Sequence, residues 1–378
     1  MMFDWLINAA YYVIPFIVLL GILVFVHELG HFLTARICGV RVAEFSIGFG
    51  KKLWGFTDKS GTEWKLCAVP LGGYCKFLGD ADAASAGDES DKLSDEDKKF
   101  AFAFQNPFKK LAIVFAGPAA NYLFAIVIFA GIFFFWGKVD YPPIVGDVIS
   151  GGAAEQAGIL SGDKVVTINH KKIETFLDIQ REIDLNTAPQ VQVQIERNQK
   201  IIDLAITLKT IPLTAELNQE AAPKPMLGIR SVSTVAANLQ NVPLDDALVM
   251  ACQRTWMVTE ATLRGIGQMI SGQRNTDEVG GIIRIAEMSG DISKDSSLIG
   301  FLTFMSLLSI NLGLINLFPI PVLDGGHVVI YLIEIVTGRE MNQRFKDYIF
   351  RLGLFLIIAL MLFATYNDCA RLFHRWFS

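Results

Sequence analysis

VFVHELGHFL, residues 24–33, lies at the end of a run without a single charge from Trp5 to Val26. A run of that length suits a helix crossing ~30 Å of hydrocarbon. Yet it ends in His27, Glu28 and His31, spaced as HExxH. In a helix, residues four apart project from one face. Both imidazoles can therefore reach one Zn2+, with Glu28 beside them as a general base. The plainer reading is two interfacial histidines and a carboxylate at a helix end. The apolar setting favours the metal, because ionisable side chains at membrane depth are costly and mark functional sites.

The composition agrees with a membrane protein carrying a soluble insert. Mean hydropathy is +0.40, and charged residues are only 19% of the 378, low for a soluble chain. A net charge of −5 and the absence of a basic stripe argue against a nucleic-acid partner. Cys38, Cys67, Cys75, Cys252 and Cys369 have no CxxC and no framework spacing, so they read as small apolar groups. With Asp4 and no Lys or Arg ahead of the first apolar run, a removable signal peptide is not expected.

Four runs can span a bilayer: from about Trp5 to Leu33, Leu111 to Gly137, Leu298 to Leu323, and Leu352 to Asn367. The last is short and must borrow flanking residues such as Tyr348 and Phe350. Arg36, Arg41, Lys51, Lys52, Lys109 and Lys110 follow the first run, and Arg339, Arg344 and Lys346 follow the third. Both stretches read as cytoplasmic, which puts both termini and residues 138–297 outside. Arg371 and Arg375 would then lie outside against the rule.

The expected organisation follows. Residues 1–39 form the first transmembrane helix with HExxH. Residues 40–80, rich in aromatic and β-branched residues and punctuated by glycines, form a β-rich region dipping into the membrane. Residues 81–107 are a cytoplasmic linker and 108–137 the second span. Residues 143–213 form a soluble α+β module, with a helix around Phe176–Leu185 and two alternating strands after it. Residues 240–275 give a helix too charged to span, lying at the outer interface or against that module. Residues 298–338 form the third span with the LDG sequence, and 348–370 the fourth.

A catalytic zinc keeps three protein ligands and an open position. In "NLFPIPVLDGGHVV", Asp324 is the only carboxylate between Asp295 and Glu334. Pro319 and Pro321 break the helix before it, and Gly325 and Gly326 allow close backbone approach. Asp324 is the expected third ligand; His327 competes, and a loop Asp capping the next helix is the plain alternative. Asn311 and Asn316 need polar partners in a dry helix, either across helices or on a substrate. "AGPAANYLFA", residues 116–125, has small residues for close packing, with Asn121 bonding across helices.

HELGH in a first span, a GFG-containing β-region, AGPAAN in the second and NLFPIPVLDGG in the third together resemble the site-2 protease family of intramembrane zinc metallopeptidases. This is the family of the bacterial regulator-of-sigma-E protease, and the resemblance covers nearly the whole chain. It implies a polytopic α-helical membrane protein with four transmembrane helices, a membrane-associated β-rich region and a soluble α+β PDZ domain. Gly158–Asp163 resembles a PDZ core, although familiar members carry two such modules and one is readable here. The resemblance implies one Zn2+ per chain on His27, His31 and Asp324, Glu28 as base, and substrate contacts at Asn311 and Asn316. It implies a bacterial inner-membrane location with the PDZ module periplasmic. The implied partners are the lipid bilayer and single-span membrane substrates already cut outside, anti-sigma factors or remnant signal peptides. A silent membrane adaptor and a zinc transporter are the competing readings.

Overall fold

The computed structural model describes residues 2–79, 93–137, 142–186, 188–210, 225–231, 242–273, 280–294 and 298–377. In chain order the elements are α1 (Met2–Ile37), β1 (Val42–Thr57), β2 (Glu63–Phe77), α2 (Pro107–Trp136), β3 (Val145–Val148), α3 (Ala153–Gln156), β4 (Lys164–Ile168) and β5 (Lys171–Lys172). Then come α4 (Phe176–Asp184), β6 (Gln190–Arg197), β7 (Lys200–Thr207), β8 (Lys209–Thr210), β9 (Pro225–Met226) and β10 (Ile229–Ser231). Five helices close the chain: α5 (Leu244–Ile270), α6 (Ile282–Lys294), α7 (Leu298–Asn316), α8 (Asp324–Thr337) and α9 (Gln343–Phe377). They fall into two compact units, residues 1–130, 248–259 and 279–378 in the first and 131–247 and 260–278 in the second.

Four helices among the described residues are long and apolar enough to cross a membrane: Tyr11–Ile37, Pro107–Trp136, Leu298–Asn316 and Arg344–Arg371. The short fourth run is accommodated as expected, since α9 starts at Gln343 and takes in Tyr348 and Phe350. The stretch 298–338 is not one helix. Asn316 ends α7 and Asp324 starts α8, with Pro319 and Pro321 between them. Two prolines so close together remove backbone donors and cannot continue a helix.

In the first unit, β1 and β2 form a two-stranded antiparallel sheet. It packs on the end of α1 and on α2 through Phe32, Ala35, Val42, Phe45, Phe77 and Ile113. The turn between the strands is fastened to α1. Arg36 donates to Asp58 at 2.5 Å, and Asp58 also accepts from the Ser60 and Thr62 backbones and the Trp64 indole. A second core joins α1 to α7 through Leu19, Leu23, Phe304 and Met305, with Ile285 and Ile292 of α6 against it. The sequence left residues 282–294 unassigned, whereas α6 packs so tightly there that a Cβ on Gly290 would lie 2.1 Å from the Tyr12 ring.

The second unit holds a four-stranded sheet of order β5-β4-β6-β7 and the pairs β3–β10 and β8–β9. Alternation in β6 buries Val191, Val193 and Ile195, as half-buried strands require. Helix α4 opens with a capping box in which Thr175 and Asp178 satisfy each other's backbone donors. The module does not stop at residue 213. Strand β10 pairs with β3 and Leu227 joins the core, because β3 would otherwise leave an edge unpaired. Of α5, Thr259 hydrogen-bonds Tyr122 within the first unit, while Glu260 and Gln268 bond Arg181 and the Leu185 carbonyl within the second.

Asp163 is 2% exposed and anchors this module. It accepts two bonds from Arg197, at 2.7 and 2.6 Å, and one from the Leu160 N–H. Burial alone would raise its pKa, but Arg197 and Leu160 outweigh it and hold the carboxyl below its ordinary value. A depressed folded pKa stabilises above the ordinary carboxylate range, and that stability is lost as pH falls through the folded value. Arg197→Ala should therefore speed hydrogen exchange of the β4 and β6 amides at pH 7, because it leaves a buried charge unpaired. The gap to wild type should narrow as the pH drops and Asp163 protonates.

Candidate active site

The last third of α1 carries His27, Glu28 and His31 on successive turns. Three ligand atoms meet there. His27 Nε2 lies 3.1 Å and His31 Nε2 3.5 Å from Asp324 Oδ2, and the two Nε2 atoms are 3.3 Å apart. Among the described residues this is the cluster of three such ligands within 4.8 Å of one another. His31 Nδ1–H donates to the Ile113 carbonyl at 2.8 Å, which turns its Nε2 toward Asp324. Asp324 Oδ2 is buried and faces both imidazoles.

His27 Nδ1 faces the Asn121 side-chain amide at 3.1 Å. The amide nitrogen Nδ2 is the atom that faces Nδ1, so Asn121 orients the His27 ring. The two imidazole nitrogens and the carboxylate oxygen together are a donor set that suits zinc. A tetrahedral zinc with bonds of ~2.0–2.1 Å has ligand–ligand edges of ~3.3–3.4 Å. The triangle observed fits zinc.

That cleft is about 250 Å³ and is lined by Glu28, Asn316, His327, Tyr74 and Phe102 as well as the three ligands. Glu28 accepts a hydrogen bond from the Cys75 backbone N–H, so β2 runs directly past the base. Asn316, the last residue of α7, is on the cleft; Asn311, more than a turn earlier, does not line it. His327 also lines it but stays out of the ligand triangle, its ring packing on Phe350 and Tyr331.

Two features explain how Asp324 and the histidines reach one point. A Cβ on Gly325 would lie 2.2 Å from the Phe318 carbonyl and 2.3 Å from that of Leu317. Only glycine lets the proline loop fold back over the start of α8 and bring Asp324 inward. On α2, a Cβ on Gly117 would sit 2.2 Å from His31 Nε2 and 2.9 Å from His27 Cε1. Gly117 and Asn121, read from the sequence as packing residues, thus shape and orient the ligands. Phe102, placed by the sequence in a linker, is part of the cleft wall. An HExxH pattern cannot reveal these three, because they act through long-range packing.

With this geometry in place, the family of the chain is clear. Residues 15–360 match the model for peptidase family M50. Proteins named "Putative zinc metalloprotease" from Agrobacterium fabrum and Rickettsia conorii are 39% and 40% identical over 367 and 363 residues, covering 96% of this chain in each case and 96% and 99% of theirs. The metalloprotease MmpA of Caulobacter vibrioides is 33% identical over 375 residues, 93% of this chain and 94% of its own. The chain belongs to peptidase family M50, a zinc metalloprotease by its family and its full-length relatives.

Gly117→Ala should displace His31 and strip the metal, read as bound zinc after purification. Gly131→Ala on the same helix, where a Cβ meets nothing within 4 Å, should keep it. Asn121→Ala should weaken zinc affinity by roughly 10–100-fold, as loss of a group orienting a ligand does.

Proposed function

We propose that this chain is an intramembrane zinc endopeptidase that cuts membrane-spanning segments of single-span proteins. The observation that carries it is the His27–His31–Asp324 triangle with Glu28 beside it, at the end of a helix long and apolar enough to cross a membrane. Zinc held there supplies a Lewis acid that polarises a carbonyl and lowers the pKa of water from ~15.7 towards ~7. Glu28 takes the proton of the attacking water and returns it to the leaving amine. Asn316, on the cleft, is placed to donate to the carbonyl oxygen as charge develops. Asn311 serves the substrate from outside the cleft lining.

A helical substrate hides its scissile carbonyl in the i to i−4 ladder and must unwind. The end of β2, from Gly73 to Phe77, pairs with the start of β1. Because the Cys75 N–H points to Glu28, the other side of this segment faces the site. An unwound segment can add to it as a further strand, replacing its lost backbone bonds. Substrates with Gly, Ser, Asn or Pro near the cut, which unwind readily, are therefore preferred.

The module from residue 143 onward is read as a single periplasmic PDZ domain that captures a C-terminus exposed by an earlier cut or excludes substrates with bulky outer domains. The Lys and Arg pattern supports placing it and both termini outside a bacterial inner membrane, with α5 at the outer interface. The substrate class is then a single-span protein already trimmed outside, an anti-sigma factor or a remnant signal peptide.

The test is cleavage of a single-span substrate by purified protein in detergent. Wild type should cut. Glu28→Gln should retain about one zinc per chain and lose at least ~10³-fold in rate, and chelation should abolish cutting. A wild type that holds zinc and cuts nothing, even without residues 143–213, overturns the reading in favour of an adaptor. If the variant lacking 143–213 gains cleavage of untrimmed substrates, the module filters; if it loses all cleavage, it captures.

A further inference from the structure

We infer that Phe102 forms the closing wall of an apolar subsite beside the metal ligands and sets the size of the substrate side chain accepted next to the cleaved bond. This rests on the peptidase reading above. The cleft has two unlike sides. His27, His31, Asp324, Glu28 and Asn316 make one polar side, and Phe77, Phe102, Val114 and Val322 make the other apolar. A peptide whose carbonyl is presented to the polar side carries a side chain past the apolar one. Apolar lining with a few convergent polar groups is what a small binding site requires.

The apolar wall has a defined shape. Phe102 stacks on Phe77 with ring centroids 4.7 Å apart and planes 16° from parallel. It meets Tyr331 of α8 edge-on at 6.2 Å. One ring thus bridges the sheet and the helix that holds Asp324, and it packs against the cores of both. With so little room, a side chain larger than the space before this ring is rejected, because the close-packed interior behind it does not yield without loss.

Phe102 is also the member of the wall that can change. Phe77 and Val114 are buried within β2 and α2, so truncating them would hollow a core. Phe102 instead opens a single short helical turn, Phe102–Phe104. That turn is held by its backbone: Phe104 N–H donates to the Ala101 carbonyl at 3.3 Å, and Gln105 N–H to the Phe102 carbonyl at 3.1 Å. Replacing the ring leaves those bonds in place.

The experiment measures kcat/KM of the full chain in detergent for substrates carrying Ala, Leu or Phe at each residue flanking the cut. Wild type should favour Ala over Phe at one of the two positions. Phe102→Ala should raise the Phe-to-Ala ratio there by about 10-fold or more, in the range that a few methylenes command in an apolar pocket, and Phe102→Leu by less. Bound zinc should be unchanged in both. A variant that still cuts but slows on every substrate by one common factor overturns the subsite and leaves Phe102 a packing residue. A wild type that binds zinc and cuts none of the substrates overturns the peptidase reading and the subsite with it.

Discussion

Two imidazole Nε2 atoms and one carboxylate oxygen, held within 3.1–3.5 Å of one another in an apolar helical unit, are the constraint on which this structure turns. In a low-dielectric interior a carboxylate needs a compensating charge, and a divalent cation at this point supplies it. Metal affinity and the folding of this corner are therefore coupled. Each neighbouring element answers the same demand. Helix α1 supplies two histidines four residues apart, α2 supplies the Ile113 carbonyl and Asn121 that orient their rings, and the proline break swings Asp324 inward.

A strand next to the base follows from the same logic. Had another helix packed there, its N–H groups would have been consumed by its own ladder. A strand can turn a backbone N–H away from its partner strand, and Cys75 of β2 gives its N–H to Glu28. The base is thereby oriented by backbone, which no side-chain substitution removes. The sheet is tied in turn to α1 by Arg36 and Asp58.

The chemistry was legible in the sequence wherever it depended on local spacing. HExxH needs only the helical period, and Asp324 announces itself as a lone carboxylate between prolines and glycines in apolar sequence. The two long strands of the second unit follow from alternation, and its helix was placed around Phe176–Leu185. What lay hidden depends on partners far along the chain. Strand β10 exists because β3, some eighty residues earlier, offers an edge. Helix α6 is a short amphipathic segment whose place is set by Tyr12. The third span reads as continuous by hydropathy, since Leu317–Leu323 is as apolar as a helix, and only the prolines betray the break.

Gly117 shows why packing and chemistry cannot be separated in this chain. Helices in lipid gain little from burying apolar surface against one another, so small residues that permit close approach carry their association. By that rule AGPAAN is a packing motif and nothing more. Yet the space left by the missing Cβ of Gly117 is occupied by the His31 ring itself. One turn on, Asn121 is fully buried, with its side chain on His27 and its carbonyl receiving Ser309 of α7 at 2.9 Å. A larger residue at 117 would part the helices and push out a ligand in the same movement. The close contact of α1 with α2 is thus both what holds the bundle together and what aims the histidines.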